Sequence, residues 1–158
     1  MNITLDDLTV KNNQSHSSSL TEDWLWLVGK DKRPILISAI GDLFLEDESK
    51  KIYWLDTGAG NLELIADNIQ DFQEKLQNNE LANEWLLINL VINLKESGKI
   101  LDEGQIYTYK ILPVLGGEYT VDNFEPTDIE VHFSVTGQLH RQIKDLPPGT
   151  KINNIKFK

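Results

Sequence analysis

The chain has 158 residues, a hydrophobic fraction of 40% and a formal net charge of -10 at neutral pH. A chain of this length buries enough surface for one domain with one core, so we expect it to fold despite its charge. The negative charge disfavours contacts with nucleic-acid phosphates and with anionic membranes. Because the chain has no cysteine, disulfides, thiolate metal sites and thiol catalysis are excluded.

The N-terminal residues 1–19 are predicted to be a short strand and a flexible linker, followed by one domain over residues 20–158. The linker is assigned because residues 12–19 are polar and rich in serine. The first residues lack the basic start and apolar segment of a signal peptide, and no apolar run is long enough to span a membrane. We therefore expect a cytoplasmic protein.

The first half of the domain is predicted to be a short helix and an antiparallel meander. Thr21 is expected to cap the helix, and Gly29 to end it. Short apolar runs separated by turn residues then recur about every ten residues, which is typical of strands joined by hairpins. These runs cover residues 35–40, 42–45, 51–55 and 62–66.

Two helices are predicted next. The first carries a single apolar stripe of Ile69, Phe72 and Leu76, with Asp67 or Asn68 as its cap. The second is expected to run without interruption from about Leu81 to Ser97. Its apolar residues cover most of the circumference, which is typical of a buried helix.

The stretch from Gln105 to Asn123 combines a strand with a fixed bend. Tyr107 and Tyr109 alternate with polar residues, as in a half-buried strand. Pro113 cannot occupy a central strand position, and Gly116-Gly117 permits backbone angles that other residues rarely adopt. We therefore predict a strand that ends in a glycine-dependent bend.

A second alternating pattern follows, in which apolar residues occupy every other position from Ile129 to Val135. This pattern predicts a strand, followed by a helix over residues 139–146 and a last extended piece over residues 151–157. The whole pattern indicates an α+β fold: one domain with a twisted, meander-rich antiparallel sheet packed against about four helices.

One string resembles a catalytic motif. Asp56-Thr57-Gly58 matches the aspartic-protease signature, whose chemistry needs two carboxylates that share a proton. The chain has a single copy, so a protease would require a homodimer. A hairpin turn containing Gly58 and Gly60 is the favoured interpretation.

His132 and His140, with Asp128 and Glu130 nearby, are candidate metal ligands. They lack the spacing that places ligands on one helix face, so we interpret them as a solvated strand face and a surface helix histidine. We expect no metal, no cofactor and no catalytic residue.

An acidic surface is predicted beside the glycine bend, since residues 118–130 contain five carboxylates and no lysine or arginine. We interpret this surface as a partner-binding face, with Tyr119 and Phe124 as exposed aromatic anchors. The predicted acidic residues of the face are Glu118, Asp122, Glu125, Asp128 and Glu130.

Several strings from about Leu20 to the C-terminus resemble the C-terminal domain family of type VI secretion DNase-immunity proteins. The strings are Gly41-Asp42-Leu43-Phe44, Tyr53-Trp54-Leu55-Asp56-Thr57 with Gly60, Leu112-Pro113-Val114-Leu115-Gly116-Gly117-Glu118-Tyr119 with Asn123, Phe133-Ser134-Val135-Thr136-Gly137-Gln138-Leu139-His140 and Leu146-Pro147-Pro148-Gly149-Thr150. The resemblance implies a cytoplasmic antitoxin that binds a secreted nuclease, with a fold distantly similar to SUKH immunity proteins. It supplies no catalytic residues.

The charge and the resemblance agree on the kind of partner. A nuclease is basic where it holds phosphates, so an acidic inhibitor would be steered to it and would occlude its cleft. Two alternatives remain: a regulatory or scaffold protein with the same fold and no toxin, and an aspartic-type hydrolase built on Asp56.

Overall fold

The structure, a computed structural model, describes residues 3–11, 19–147, 149–151 and 157. These residues form one α+β domain, as the sequence predicts. Its strands are β1 (Thr9–Val10), β2 (Lys32–Ser38), β3 (Leu43–Asp47), β4 (Ile52–Asp56), β5 (Asn61–Ala66), β6 (Gln105–Tyr109) and β7 (Phe124–Asp128). Its α-helices are α1 (Leu5–Leu8), α2 (Leu25–Val28), α3 (Ile69–Lys75), α4 (Asn79–Leu86), α5 (Ile88–Glu96) and α6 (Ile129–Ile143). Three 3₁₀ helices cover Ser19–Trp24, Pro113–Leu115 and Val121–Asn123.

The predicted meander is confirmed. Strands β1 to β5 form one antiparallel sheet in sequence order, and β6 pairs with β7 in a separate two-stranded sheet. Consecutive strands pair because short turns join them, such as the turn between Asp56 and Asn61. The described residues form six α-helices, more than the four or so predicted, because α1 was not expected and the helix predicted over residues 81–97 is divided into α4 and α5.

Both faces of the five-stranded sheet are covered. On β3, Phe44 points into one apolar cluster, whereas its neighbours Leu43 and Leu45 point into the other. The first cluster includes Phe72 of α3 and Trp85 of α4, and the second is formed with the Ser19–Trp24 helix, α2 and α6. Since β3 is buried on both sides, its sequence is a continuous apolar run without alternation.

The helix predicted over residues 81–97 is interrupted, so the expectation of one continuous helix is wrong. Leu87 adopts a left-handed conformation with φ of 47° and separates α4 from α5. Trp85 and Leu86 before the break and Val91 and Leu94 after it belong to the same buried cluster. The break therefore lets two short helices cover the same sheet face.

The N-terminal segment adds the first strand to the sheet. Thr9 pairs with Ser38, Val10 pairs with Ile37, and Leu8 is buried. The predicted flexible linker falls mainly on residues 12–18, and most of the predicted extended piece at 151–157 falls on residues 152–156. Both stretches lie outside the described residues, so these two expectations stay predictions.

The strand predicted over residues 129–135 is wrong, because this stretch opens the long helix α6. The alternating pattern misleads because polar and small residues, including His132 and Thr136, occupy the buried face. Val131 and Val135 lie on the exposed side, with 50% and 37% of their surface accessible. The buried residues instead recur at helical spacing: Ile129, His132, Phe133, Thr136, Gly137 and His140.

Candidate functional site

The buried face of α6 carries two histidines that bind loop backbone. His132 lies under the turn between β2 and β3, where its Nε2 is 2.7 Å from the Gly41 carbonyl oxygen. Its Nδ1 is 2.8 Å from the Thr108 hydroxyl. Because a carbonyl only accepts, Nε2 carries the proton and Nδ1 accepts from Thr108. Burial lowers the pKa of His132 to about 4, which keeps the imidazole neutral.

Asp42 lies beside this histidine and is also buried. Its carboxylate accepts hydrogen bonds from Trp54 Nε1 at 3.0 Å and from the Thr57 backbone N–H at 3.0 Å. The Thr57 hydroxyl is 3.2 Å away. Burial raises the pKa of Asp42 well above its usual range, the nearby Asp56 carboxylate adds to the rise, and these hydrogen bonds oppose it.

The second histidine holds the turn between β4 and β5. His140 Nε2 donates to the Thr57 carbonyl oxygen at 2.8 Å, and burial lowers the pKa of this imidazole. A side chain at Gly41 would overlap the His132 ring, and one at Gly60 would overlap the His140 ring. We call Gly41, Asp42, Thr57, Gly60, His132 and His140 the histidine clasp, since the two rings tie α6 to both turns.

The clasp corrects the sequence interpretation of both histidines. His132 is 1% and His140 is 4% exposed, so neither is a surface residue. Asp128, Glu130 and His132 do not share a strand face, because Asp128 ends β7 and caps α6, whereas Glu130 and His132 lie at the start of α6. Within the part of the chain that the structure describes, no three histidine or carboxylate side chains are grouped as metal ligands.

The Asp56-Thr57-Gly58 string forms the predicted hairpin turn. The Asp56 carboxylate accepts from the backbone N–H groups of Gly58 at 3.0 Å and Ala59 at 3.1 Å, so it holds the turn closed. Asp42 supplies a second carboxylate nearby, but it is 2% exposed. The Asp42 carboxylate is instead bound by Trp54 and Thr57 inside the protein.

The predicted acidic residues do not form one compact patch. Glu118 and Asp122 precede β7, whereas Asp128 and Glu130 lie at its other end, beyond a strand about 14 Å long. All five acidic side chains are exposed. Asp128 and Glu130 have a structural reason to be acidic, because negative charge stabilises the N-terminus of α6.

Only one of the two predicted aromatic anchors is exposed. Tyr119 is 50% accessible and lies edge-on to Tyr109, with ring centroids 6.1 Å apart. Phe124 is fully buried and packs against the same Tyr109 ring at 4.6 Å. The prediction that Phe124 is an exposed anchor is therefore wrong, because alternation along β7 points its ring inward.

The predicted glycine bend is confirmed. We call residues 111–123 the Gly-Gly loop. Gly116 ends a 3₁₀ turn with φ of 97°, and a side chain at Gly117 would overlap the Ile111 carbonyl. The Asn123 side chain closes the loop by binding the Ile111 backbone N–H, the Ile111 carbonyl and the Glu118 carbonyl at 2.9, 2.9 and 2.8 Å.

The loop presents apolar side chains that the sequence analysis did not single out. Ile111, Val114 and Leu115 are 54%, 50% and 41% exposed. Val114 and Leu115 form one wall of an open groove of about 430 Å³, whose other wall includes Ile143 at the end of α6, with Leu146 and Lys151 beyond it. Their sequence signal is weak, since a Pro-Val-Leu string also fits a buried turn.

The turn between β4 and β5, which His140 holds, lies next to the Gly-Gly loop. Gly58, in the turn that His140 holds, lies against the Tyr109 ring and Pro113, and a side chain there would overlap the Tyr109 hydroxyl. Tyr109 in turn supports Tyr119. The buried network therefore supports the backbone from which the exposed loop projects.

Comparison with known proteins supports the family resemblance. A family model described as "T6SS immunity protein Tdi1, C-terminal" matches residues 66–140 and confirms the resemblance over this stretch. The matched stretch contains the Gly-Gly loop and both histidines, whereas Gly41 and Thr57 lie before it. No curated protein matches the chain.

Among solved structures, the crystal structure of Atu4351 from Agrobacterium tumefaciens is similar, with a TM-score of 0.47 and 22% identity. The similarity covers 82% of this chain and 65% of that one, so this chain spans slightly less than two thirds of that protein. At this level the likeness adds nothing to the functional argument. Across the described residues, no helix is long and apolar enough to cross a bilayer.

Proposed function

We propose that this protein, which resembles type VI secretion immunity proteins over residues 66–140, binds and neutralises a cognate toxin and acts in the cytoplasm. The family match carries this proposal, because immunity proteins of this kind act by binding. The buried polar groups of the clasp and the Asp56 carboxylate take part in hydrogen bonds within the protein, which agrees with a binding role.

We further propose that the toxin is a basic nuclease. The chain carries a formal charge of -10, and residues 111–130 contain five carboxylates and no basic side chain. A nuclease needs positive charge to hold phosphates, so an acidic inhibitor gains both faster encounter and electrostatic fit at its cleft. Inhibition then requires only that the inhibitor covers the cleft.

Within this proposal, the contact surface contains Glu118, Tyr119, Asp122 and Glu125. Glu118, Tyr119 and Asp122 lie on the Gly-Gly loop, and Glu125 is the next exposed residue on β7. Asp128 and Glu130 lie further along, at the start of α6, and belong to the rim of the surface. Rim charges act mainly on the association rate.

The test is co-expression of the chain with the toxin-like protein encoded by the neighbouring reading frame. We expect the toxin alone to stop growth and degrade cellular DNA, and the chain to restore growth and to co-purify with the toxin. A neighbouring gene without a toxin-like product, or growth that the chain does not restore, would favour the regulatory or scaffold alternative.

A further inference from the structure

We infer that the groove beside the Gly-Gly loop is the anchor site for the partner. It takes an apolar or aromatic side chain that has lysine or arginine residues next to it on the side of the Gly-Gly loop. This inference rests on the proposed function and specifies which part of the surface holds the toxin once it has arrived. The proposed occupant packs against Val114 and Leu115 on one wall and Leu146 on the other.

The first observation is the concentration of exposed apolar surface. Ile111, Val114, Leu115 and Tyr119 lie within nine residues and are 54%, 50%, 41% and 50% exposed. Single exposed apolar residues are ordinary, but several on one short loop form a patch typical of an interaction site. The loop does not need these side chains for its own core, since Leu112, at 7% exposure, anchors it.

The second observation is that the loop backbone is held rigidly. The Leu112 carbonyl accepts from the N–H groups of Leu115 at 2.8 Å and Gly117 at 3.0 Å, and the Pro113 carbonyl accepts from Gly116 at 3.0 Å. The Asn123 side chain adds three further hydrogen bonds. An apolar patch on a rigid backbone loses little conformational entropy on binding, which is the property of a preorganised anchor site.

The third observation is the charge around the patch, which selects the occupant. Glu118 and Asp122 are exposed on the same loop as Val114 and Leu115, whereas Lys151 lines the groove on its other side. Two copies would each bring a net charge of -10 to the contact, so their overall electrostatic interaction is repulsive. A basic partner meets no such repulsion, so we assign the groove to the toxin.

The two kinds of side chain then have separate effects on binding. The carboxylates act over distance and raise the association rate, in a manner that salt weakens. The apolar residues act only in contact and slow dissociation. Kinetics can therefore distinguish the anchor from the acidic residues.

The test is the double variant Val114→Ser and Leu115→Ser, measured by surface plasmon resonance. The probe is the neighbouring-frame toxin, inactivated by substitution in its catalytic site. We expect affinity to fall at least about tenfold through faster dissociation, with the association rate and its salt dependence unchanged. Ile100→Ser is the matched control, because Ile100 is an exposed apolar residue (64%) outside the loop. It should bind as the wild type does.

A second measurement does not depend on the stability of the double variant. The chain has no cysteine, so Val114→Cys and the control Ile100→Cys each give a single attachment point for an environment-sensitive fluorophore. Addition of the inactive toxin should shift the emission of the label at position 114 to the blue and leave the label at position 100 unchanged.

The outcomes separate the two proposals. If the wild-type chain does not bind the toxin, the proposed function fails. If the wild type binds and the double variant dissociates at the same rate, or the label at position 114 reports no change, the anchor assignment is wrong. A wild-type dimer that the double variant converts to monomers would also overturn the assignment, since a second copy would then occupy the groove.

Discussion

The histidine clasp and the Gly-Gly loop are both built around glycines that leave no room for a side chain, yet they differ in what they expose. In the clasp, Gly41 and Gly60 make space for buried imidazoles whose nitrogens bind backbone or hydroxyl groups. In the loop, Gly117 makes space for a carbonyl, and the apolar side chains of Val114 and Leu115 are left in solvent.

One set of motifs therefore serves two purposes. The strings that resemble the immunity family contain both regions. The clasp histidines form hydrogen bonds within the protein, and their burial prevents them from contacting a partner. In the loop, Leu112, Gly116, Gly117 and Asn123 hold the backbone, while the residues between them point outward. Fold and recognition therefore depend on different residues of adjacent segments.

The largest expected effect comes from breaking the clasp with Gly41→Ala. The new methyl group would overlap the His132 ring, which hydrogen bonds at both nitrogens prevent from moving. We expect the free energy of unfolding to fall by more than about 3 kcal/mol, because the variant introduces strain and loses buried hydrogen bonds. Thermal unfolding followed by circular dichroism measures the effect.

Gly98→Ala is the matched control for this variant. Gly98 has φ of 91°, close to the 84° of Gly41, but nothing lies within 4 Å of its added methyl group. The control should therefore lose only roughly 1 kcal/mol of folding stability, which is the cost of the backbone strain. Equal losses in the two variants would show that the close approach of His132 does not matter.

The next largest effect is expected from acid, which should destabilise the folded protein because His132 is held neutral in it. Its pKa is about 4 in the folded protein and 6.5 ordinarily, so the unfolded state binds the proton first as pH falls. Stability is then lost as pH drops from about 6.5 to about 4, by about 3 kcal/mol in total. Denaturant titrations of wild type and His132→Gln across this range measure the difference between them.

The comparison with His132→Gln isolates the imidazole from its neighbours. Asp42 has the opposite influence, because its raised pKa favours the protonated form in the folded state, so its contribution to stability grows on acidification. The lowered pKa of His140 adds to the acid loss in both proteins. If the free energies of unfolding of the two proteins fall in parallel from about pH 7 to pH 5, His132 is not the titrating group.

A smaller effect is expected from reversing charges on the loop. Glu118→Lys with Asp122→Lys should slow association with the inactive toxin by about tenfold at low salt and weaken its salt dependence. Glu74→Lys with Glu84→Lys, on α3 and α4, changes the net charge equally and serves as the control. Equal slowing in both variants would mean that only the overall charge attracts the toxin.

The smallest effect is expected for Asp56→Asn. The asparagine keeps an oxygen that can accept from Gly58 and Ala59, so the turn should survive with a change of less than about 1 kcal/mol. Toxin binding should be unaltered. A hydrolytic activity in the wild type that this variant abolishes would instead support the aspartic-hydrolase alternative.

The sheet could be predicted from sequence because its strands follow apolar runs separated by turn residues. The interruption of the predicted helix could not, since Leu87 is a leucine in a backbone conformation that usually belongs to glycine. The first half of α6, residues 129–135, was mistaken for a strand because polar and small residues such as His132 and Thr136 occupy the buried face of the helix. Periodicity analysis counts such residues as exposed.

The candidate site was predicted in part. The acidic residues and Tyr119 are exposed as expected, because charge is rarely buried without a partner. The inward direction of Phe124 depends on the register of β7 against β6, which local sequence does not reveal. Val114 and Leu115 were missed because their exposure follows from the loop geometry that Asn123 closes, through contacts twelve residues apart.

The most direct test is calorimetric titration of the inactive toxin into the chain carrying Val114→Ser, Leu115→Ser, Glu118→Lys and Asp122→Lys together. We predict that the wild type forms a saturable complex and that the quadruple variant, with its melting temperature retained, gives no measurable binding. Wild-type affinity in the folded quadruple variant would contradict the account, because the toxin would then bind elsewhere than the Gly-Gly loop.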